Sequence, residues 1–172
     1  MTSPRQQTLA SEAGFEGIGL HTGESARVRF LPAPVGTGIR FRRVDLEGSP
    51  EIPADIDFVV ATDRGTSLAK GEARVDTVEH LLAAVVASGI DNLWIEIDGP
   101  EVPIGDGSFA PFHEVLSGAG VVEQDAPARV LEVERVVTAS TSKGASYVVT
   151  PAEGYTISAT IDFDHPVVGR QF

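Results

Sequence analysis

The sequence contains no cysteine. Disulfide bonds, thiolate nucleophiles and zinc sites with sulfur ligands are therefore excluded, because all three require a cysteine side chain. Any metal ion must be bound by histidine, aspartate or glutamate. The absence of cysteine also fits a reducing cytosol.

Basic residues are scarce as well, with 13 lysines and arginines against 25 acidic residues and a formal net charge of -12. This charge repels phosphate backbones and anionic lipid surfaces, so we do not expect a nucleic-acid partner. The longest nearly apolar run, LLAAVVASGI, is too short to cross a bilayer, and residues 1–10 lack the apolar core of a signal peptide. We expect a soluble cytoplasmic protein without a transmembrane segment.

Short strands are predicted across residues 6–75, where apolar and polar residues alternate between glycines and prolines. The clearest examples are ARVRF, GIRFRR and DIDFVVA. The segment NLWIEID continues the alternation, and only Trp94 interrupts its polar side.

Two helices are predicted between and after these strands. In the first helix, the apolar residues with the spacing of one buried stripe are Val78, Leu81, Leu82 and Val85. Gly89 is placed to end this helix, and a second helix covers residues 109–120. Strands and two helices predict an α+β fold, a two-layer sandwich of a sheet and helices. We expect this domain to be complete by about Val122 and to be followed by a linker, residues 123–129.

The alternating pattern begins again after the predicted linker, at residues 129–140, 145–151 and 154–164. A strand, a Pro-Ala pair, a turn and a strand occur near Pro32-Ala33 and again near Pro151-Ala152, which indicates a duplicated unit. We therefore predict a first domain at residues 1–125 and the opening strands of a similar but incomplete second domain at residues 129–172. The chain is then a fragment of a longer protein.

Glu79 and His80 stand side by side in the first turn of the first predicted helix. One interpretation is structural, because Asp76 at the N-cap and Glu79 three residues later form the pattern of a capping box. His80 lies away from the apolar stripe, on a side otherwise formed by Ala83, Ala84 and Ala87. Such a side indicates contact with another layer or a ligand, although a half-exposed histidine also fits. Zinc hydrolases often pair a histidine ligand with a glutamate base, but this helix offers only one ligand.

Four segments, in order along the chain, resemble the N-terminal half of the UDP-3-O-acyl-N-acetylglucosamine deacetylase family. They are GIGLHTG, TVEHLLAA, GIDNLWIEIDGPEVPIGDGSFAPF and TIDFDHP. These deacetylases are zinc enzymes of lipid A synthesis in Gram-negative bacteria. The resemblance implies two sandwich domains with an active site between them, in the cytoplasm or at the inner face of the inner membrane.

The resemblance implies that Glu79 is the general base and that His80 is a ligand of one zinc ion, the sole cofactor. It implies hydrolysis of the acetamido group of UDP-3-O-acyl-N-acetylglucosamine to acetate and a free amine. In the family the other zinc ligands come from an H-x-x-x-D motif of the second domain, which this sequence lacks. They are expected in cis or in a separate chain, and we expect the 172 residues alone to be inactive.

Three further candidates of the first domain come from the same resemblance. Asp106 in IGDGS matches a segment lining the active site and is a candidate for orienting a catalytic or metal-ligating side chain. Ordinary turn chemistry, with Ser108 as a helix cap, explains Asp106 equally well. Leu20 and His21 match another segment of the site and are candidates for substrate binding.

The uridine end of the substrate is assigned by the resemblance to TIDFDHP, with Phe163 stacking on uracil and Asp162 at its polar edge. Alternation alone instead places Phe163 in a core. Arginines at positions 27, 29, 40 and 42 could form a diphosphate clamp, but we favour solvated charges on strands. The alternative hypothesis to an enzyme is a non-catalytic module of the same fold with a nucleotide-sugar binding or regulatory role.

Overall fold

A computed structural model describes residues 4–142 and 144–172. The described chain divides into two compact units, the first ending at Arg129 and the second comprising Val130–Phe172. The first three residues of the predicted first domain lie outside the described residues.

The first unit contains ten strands and two α-helices in its described part. The strands are β1 (Arg5–Leu9), β2 (Ala13–Ile18), β3 (Ser25–Pro32), β4 (Ile39–Arg43), β5 (Glu51–Pro53), β6 (Val59–Ala61), β7 (Ser67–Lys70), β8 (Ala73–Val75), β9 (Leu93–Ile97) and β10 (Val121–Pro127). The helices are α1 (Glu79–Ala87) and α2 (Ala110–Ala119).

A five-stranded sheet in the order β2-β3-β9-β4-β5 forms one layer of this unit. Its central strand β9 is antiparallel to β3 and parallel to β4. Leu93, Ile95 and Ile97 of β9 are fully buried, while Trp94 and Glu96 on the other face are partly exposed, so the predicted alternation is confirmed. The two helices contribute Leu81, Val85, Phe112 and Leu116 to the same core. The predicted two-layer α+β sandwich is confirmed.

Charged side chains cover the opposite face of the sheet. Glu96 accepts hydrogen bonds from Arg29 (2.9 Å) and Arg42 (3.3 Å), and the Arg42 guanidinium lies 4.3 Å from the centre of the Trp94 ring. The other two arginines considered as a diphosphate clamp also have local partners. Arg27 pairs with Glu16, and Arg40 donates to the carbonyl oxygen of Thr37. These contacts support the interpretation as solvated strand charges, each of which stabilises a fold only slightly.

Two local predictions are wrong. The predicted linker at residues 123–129 is largely strand, because β10 pairs antiparallel with β1 as far as Pro127. The strand predicted over DIDFVVA begins only at Val59, because residues Ile56–Phe58 form a 3-10 turn capped by the Asp55 side chain.

Leu81 and Val85 of α1 and Val78 just before it are buried as predicted, and Leu82 is partly buried. It ends where predicted, because Gly89 adopts φ +69 and its amide donates to the carbonyl oxygen of Val86. The predicted alanine side is only partly correct. Ala84 lies in the core, whereas Ala83 and Ala87 are exposed and His80 is half-buried.

Asn92 connects β1, β9, β10 and the turn before β4. Its amide nitrogen donates to Gln6 Oε1 (2.8 Å) and Gln124 Oε1 (2.7 Å), and its Oδ1 accepts from the Gly38 amide (2.9 Å). Its carbonyl oxygen accepts from the Thr8 hydroxyl (2.7 Å). Asn92 is 1% exposed, so these bonds replace water that cannot reach it.

The described part of the second unit contains two hairpins, which confirms that strands resume after the first domain. They pair β11 (Val137–Ser140) with β12 (Ser146–Val149), and β13 (Ile161–Asp162) with β14 (Arg170–Gln171). The strictly alternating segment 154–164 is strand only at β13. All residues of these four strands are exposed, because the described part of this unit contains no helix that could cover them.

Across the described residues, we find no helix with both the length and the apolar character needed to cross a membrane.

Candidate functional site

Thr77 directs the chain into α1 and so places Glu79 and His80. It adopts φ +58, a left-handed conformation that strains a β-branched residue. Its neighbours are fixed on both sides, because the Asp76 amide donates to the Pro100 carbonyl oxygen (2.8 Å) and the Val78 amide to that of Thr66 (3.2 Å). Surrounding backbone contacts therefore impose the turn.

The Glu79 carboxylate faces the loop before β7. Its Oε2 accepts a hydrogen bond from the Thr66 amide (2.9 Å). The capping-box interpretation is wrong, because no side chain caps the start of α1 and Asp76 instead accepts from Arg74 Nε (2.7 Å). The left-handed turn at Thr77 separates Asp76 from the helix. Glu79 is therefore positioned by a contact outside its own helix.

His21 lies in the turn that joins β2 to β3. The turn is closed by a bond from the Gly19 amide to the Glu24 carbonyl oxygen (2.9 Å), and Gly23 within it adopts φ +69. His21 Nε2 lies 3.3 Å from the Arg64 carbonyl oxygen. Leu20, the other candidate in this turn, is exposed.

Glu79 and His21, both candidates from the sequence, lie around Gly65. A Cβ atom at residue 65 would stand 3.5 Å from Glu79 Oε1 and 3.8 Å from His21 Nε2. The absence of that atom leaves room for a group of about methyl size between a carboxylate and an imidazole. A reacting group placed there would contact both side chains.

Glu101 is the residue of this region that the sequence did not single out. Glu101 is 1% exposed, and its carboxylate accepts from the backbone amides of His21 and Thr22 and from the hydroxyls of Thr22 and Thr77. A cavity of about 200 Å³ opens beside it, lined by residues that include His21, Thr22, Arg64, Gly65, Thr77 and Glu101.

The pKa of Glu101 lies below its ordinary value of 4.5. Burial raises the pKa, but hydrogen bonds from the Thr22 and His21 amides and from the hydroxyls of Thr77 and Thr22 stabilise the charged form and outweigh it. The ionised carboxylate is therefore the form that the fold stabilises.

This lowered pKa predicts a pH-dependent effect of replacing Glu101 with glutamine. At neutral pH we expect the Glu101→Gln chain to lose about 1.5 to 3 kcal/mol of unfolding free energy, the value of a hydrogen bond to a charged group. The loss should shrink below pH 4.5 and vanish as the pH falls through the lower folded pKa, because wild-type Glu101 is then protonated too. Urea unfolding at pH 7 and pH 3 measures this. A loss equal at both pH values would contradict the prediction.

Asp106 lies in the turn before α2 and is exposed. Its Oδ1 accepts from the Ser108 amide (2.9 Å) and hydroxyl (2.8 Å), and the Ser108 hydroxyl accepts from the Ala110 amide (3.1 Å). The Ser108 amide and hydroxyl lower the Asp106 pKa, with a smaller contribution from nearby His80. The contacts match the turn interpretation.

Asp162 and Phe163 belong to the second unit. Asp162 Oδ2 pairs with two guanidinium nitrogens of Arg170, at 2.9 and 2.5 Å. Phe163 is 59% exposed, so the core position that alternation alone predicts is not formed here.

The described residues contain no group of three histidine, aspartate or glutamate side chains that could hold a metal ion. A zinc site usually has at least three protein ligands, and imidazole nitrogen is a common one. His80 fits as a single ligand, and further ligands would have to come from elsewhere.

Comparison with known proteins gives a family match over nearly all of the chain. The model of the UDP-3-O-acyl N-acetylglycosamine deacetylase family matches residues 6–172. A Myxococcus xanthus protein named UDP-3-O-acyl-N-acetylglucosamine deacetylase is 47% identical over 171 residues, which are 99% of this chain and 54% of that protein. A protein of the same name from Thioalkalivibrio sulfidiphilus is 46% identical over 164 residues, 95% of this chain and 53% of that protein. The chain spans about half the length of these relatives.

Proposed function

Because the chain belongs to the UDP-3-O-acyl N-acetylglycosamine deacetylase family, we propose that it is the N-terminal half of a zinc-dependent amide hydrolase. The proposed substrate is UDP-3-O-acyl-N-acetylglucosamine, from which the enzyme removes the acetyl group during lipid A biosynthesis. The predicted domains at residues 1–125 and 129–172 are part of this proposal, as is a location in the cytoplasm or at the inner face of the inner membrane.

The observation that carries the proposal is the placement of Glu79. Thr66 holds one carboxylate oxygen, Oε2, while Oε1 borders the methyl-sized gap at Gly65 and has no hydrogen-bond partner within the described chain. A general base needs one oxygen fixed and the other directed at the proton that it takes. Glu79 has this arrangement.

In the proposed reaction, Glu79 accepts a proton from water at Oε1 and His80 binds the metal ion. Zinc, when bound, lowers the pKa of a water molecule to about 7 and polarises the amide carbonyl. The remaining ligands are supplied by further polypeptide of the same protein or by a separate chain. Asp106 orients the neighbouring His80 through its charge.

Substrate binding is proposed for four residues. His21 contacts the sugar next to Glu79, and Leu20 contributes exposed apolar surface from the same turn. Phe163 stacks on uracil and Asp162 binds its polar edge; the exposure of the Phe163 ring leaves it accessible for stacking.

The apolar surface of the second unit supports the need for further polypeptide. Leu131 is 90% exposed, and Tyr155 and Val167 are each 84% exposed. Exposed apolar side chains in such number are typical of a surface that another layer covers. We propose that the missing layer belongs to the second domain of the whole protein.

The test compares the 172-residue chain with the longer gene product, each supplied with zinc and UDP-3-O-acyl-N-acetylglucosamine. We expect acetate release by the longer product and none by the short chain. Binding of the UDP-sugar by the longer product without turnover would contradict the proposal and favour a non-catalytic module. Acetate release by the short chain would contradict the proposed division of the active site.

A further inference from the structure

We propose that Glu101 is a positioning residue that fixes the His21 turn against the start of α1, so that His21 and Glu79 face the same space. The proposal rests on the proposed function, because it assigns Glu101 a role in that reaction. Glu101 acts through the backbone of other residues and need not touch the substrate.

The hydrogen bonds of Glu101 join two segments that are distant in sequence. In the His21 turn, Glu101 Oε1 accepts from the His21 amide (3.0 Å), and Oε2 accepts from the Thr22 amide (2.8 Å) and hydroxyl (2.8 Å). At the entry to α1, Oε1 accepts from the Thr77 hydroxyl (2.8 Å). Hydrogen bonds to an ionised acceptor are roughly twice as strong as neutral ones. One buried carboxylate therefore links the two segments.

The surrounding backbone holds Glu101 close to both segments. The chains on either side of Asp76 and Glu101 form a parallel bridge, in which the Val102 amide donates to the Asp76 carbonyl oxygen (3.1 Å). A Cβ atom at Gly19 would overlap Glu101 Oε2 and the Thr22 hydroxyl. Glycine at position 19 therefore permits the carboxylate to approach the turn.

The strained conformation of Thr77 gives the Glu101 contact a specific purpose. Thr77 precedes Glu79 by two residues, and its φ of +58 decides the direction in which α1 begins. The bond from its hydroxyl to Glu101 stabilises a conformation that is otherwise unfavourable. Loss of Glu101 would remove the side-chain bonds at Thr77 and at the His21 turn and would leave both segments held by backbone contacts alone. A displacement of about 1 Å at reacting groups can reduce a rate about 100-fold.

Three variants separate positioning from general stability. Glu101→Ala removes all the bonds. Glu101→Gln keeps an oxygen for the His21 turn and an NH2 group that can donate to the Thr77 hydroxyl. Asp91→Asn is the matched control, because Asp91 Oδ2 also accepts from a backbone amide, that of Gln7 (2.7 Å), but at the far end of α1.

The kinetic experiment uses the longer gene product with zinc. We expect Glu101→Ala to lower kcat about 100-fold, because Glu79 shifts with the entry to α1, and to raise KM by a smaller factor, because the same carboxylate places His21 against the sugar. Glu101→Gln should recover most of this loss, and Asp91→Asn should leave kcat within about twofold of wild type. If wild type is active and Glu101→Ala keeps kcat within about twofold, the positioning role is overturned.

Amide hydrogen exchange of the 172-residue chain tests the same proposal without turnover. We expect the His21 and Thr22 amides to exchange faster in Glu101→Ala, whereas the core amides of β9 keep their protection. Unchanged exchange of His21 and Thr22 would overturn the proposal. A wild-type longer product without acetate release would instead refute the proposed function, while the exchange result still decides whether Glu101 fixes the turn.

Discussion

Glu79→Gln in the longer gene product is expected to reduce deacetylation about 100- to 10,000-fold, the usual contribution of a general base. Glutamine has nearly the shape of glutamate and keeps an oxygen that can accept from the Thr66 amide. It cannot take a proton from water at neutral pH. The loss should therefore appear in kcat, measured as acetate release at saturating substrate, with the fold unchanged.

Two further variants make the result of Glu79→Gln specific. Glu79→Ala should be equally inactive and should also lose about 1 kcal/mol of unfolding free energy, because it leaves the Thr66 amide without its acceptor. Glu114→Gln makes the same chemical change at an exposed position of α2 and should leave turnover at the wild-type rate. Undiminished turnover by Glu79→Gln would refute the assignment of Glu79 as the base.

Asn92→Leu is expected to destabilise the first unit by about 3 kcal/mol, because it removes several buried hydrogen bonds at once. Leucine has nearly the same size but can neither donate to Gln6 and Gln124 nor accept from the Gly38 amide. These groups would then be left unsatisfied where water reaches poorly. Urea unfolding of the 172-residue chain, followed by the fluorescence of its single tryptophan, Trp94, measures the loss.

Gln171→Leu is the control for Asn92→Leu. It also replaces an amide by leucine, but Gln171 is exposed and its side chain makes one bond, to the Val168 carbonyl oxygen. We expect an effect within about 0.5 kcal/mol, as for most surface substitutions. If Asn92→Leu also lost only about 0.5 kcal/mol, the hydrogen-bond network of Asn92 would contribute little to stability.

The parts of the fold that could be predicted from the sequence are those specified by local pattern. Strand β9 alternates between core and surface, and α1 carries an apolar stripe that ends before Gly89. Strand β10 could not be predicted this way. It is held to β1 by backbone bonds and by polar side chains such as Gln6, whose amide nitrogen donates to the Pro127 carbonyl oxygen (3.0 Å). A strand held by polar contacts lacks the apolar alternation by which strands are predicted.

In the candidate site, too, features set by local sequence could be predicted and features set by distant contacts could not. Glu79 and His80 are adjacent in sequence, and the sequence alone places both at the start of a predicted helix. The contact of Glu101 with His21 spans 80 residues and depends on a left-handed conformation at Thr77, which no periodicity indicates. The pattern of Asp76 and Glu79 even favoured a capping box, because sequence spacing cannot show that Thr77 turns the chain between them. The roles of the site residues in catalysis stay predictions.

The pairing of β10 with β1 decides where this protein can be shortened for inhibitor screening or crystallisation. A chain cut at residue 122 would lose most of β10 and uncover the hydrogen-bonding edge of β1. Uncovered edges recruit strands of other molecules, so such a fragment invites self-association and false positives in ligand assays. A cut after Arg129 keeps the edge protected and is the safer boundary.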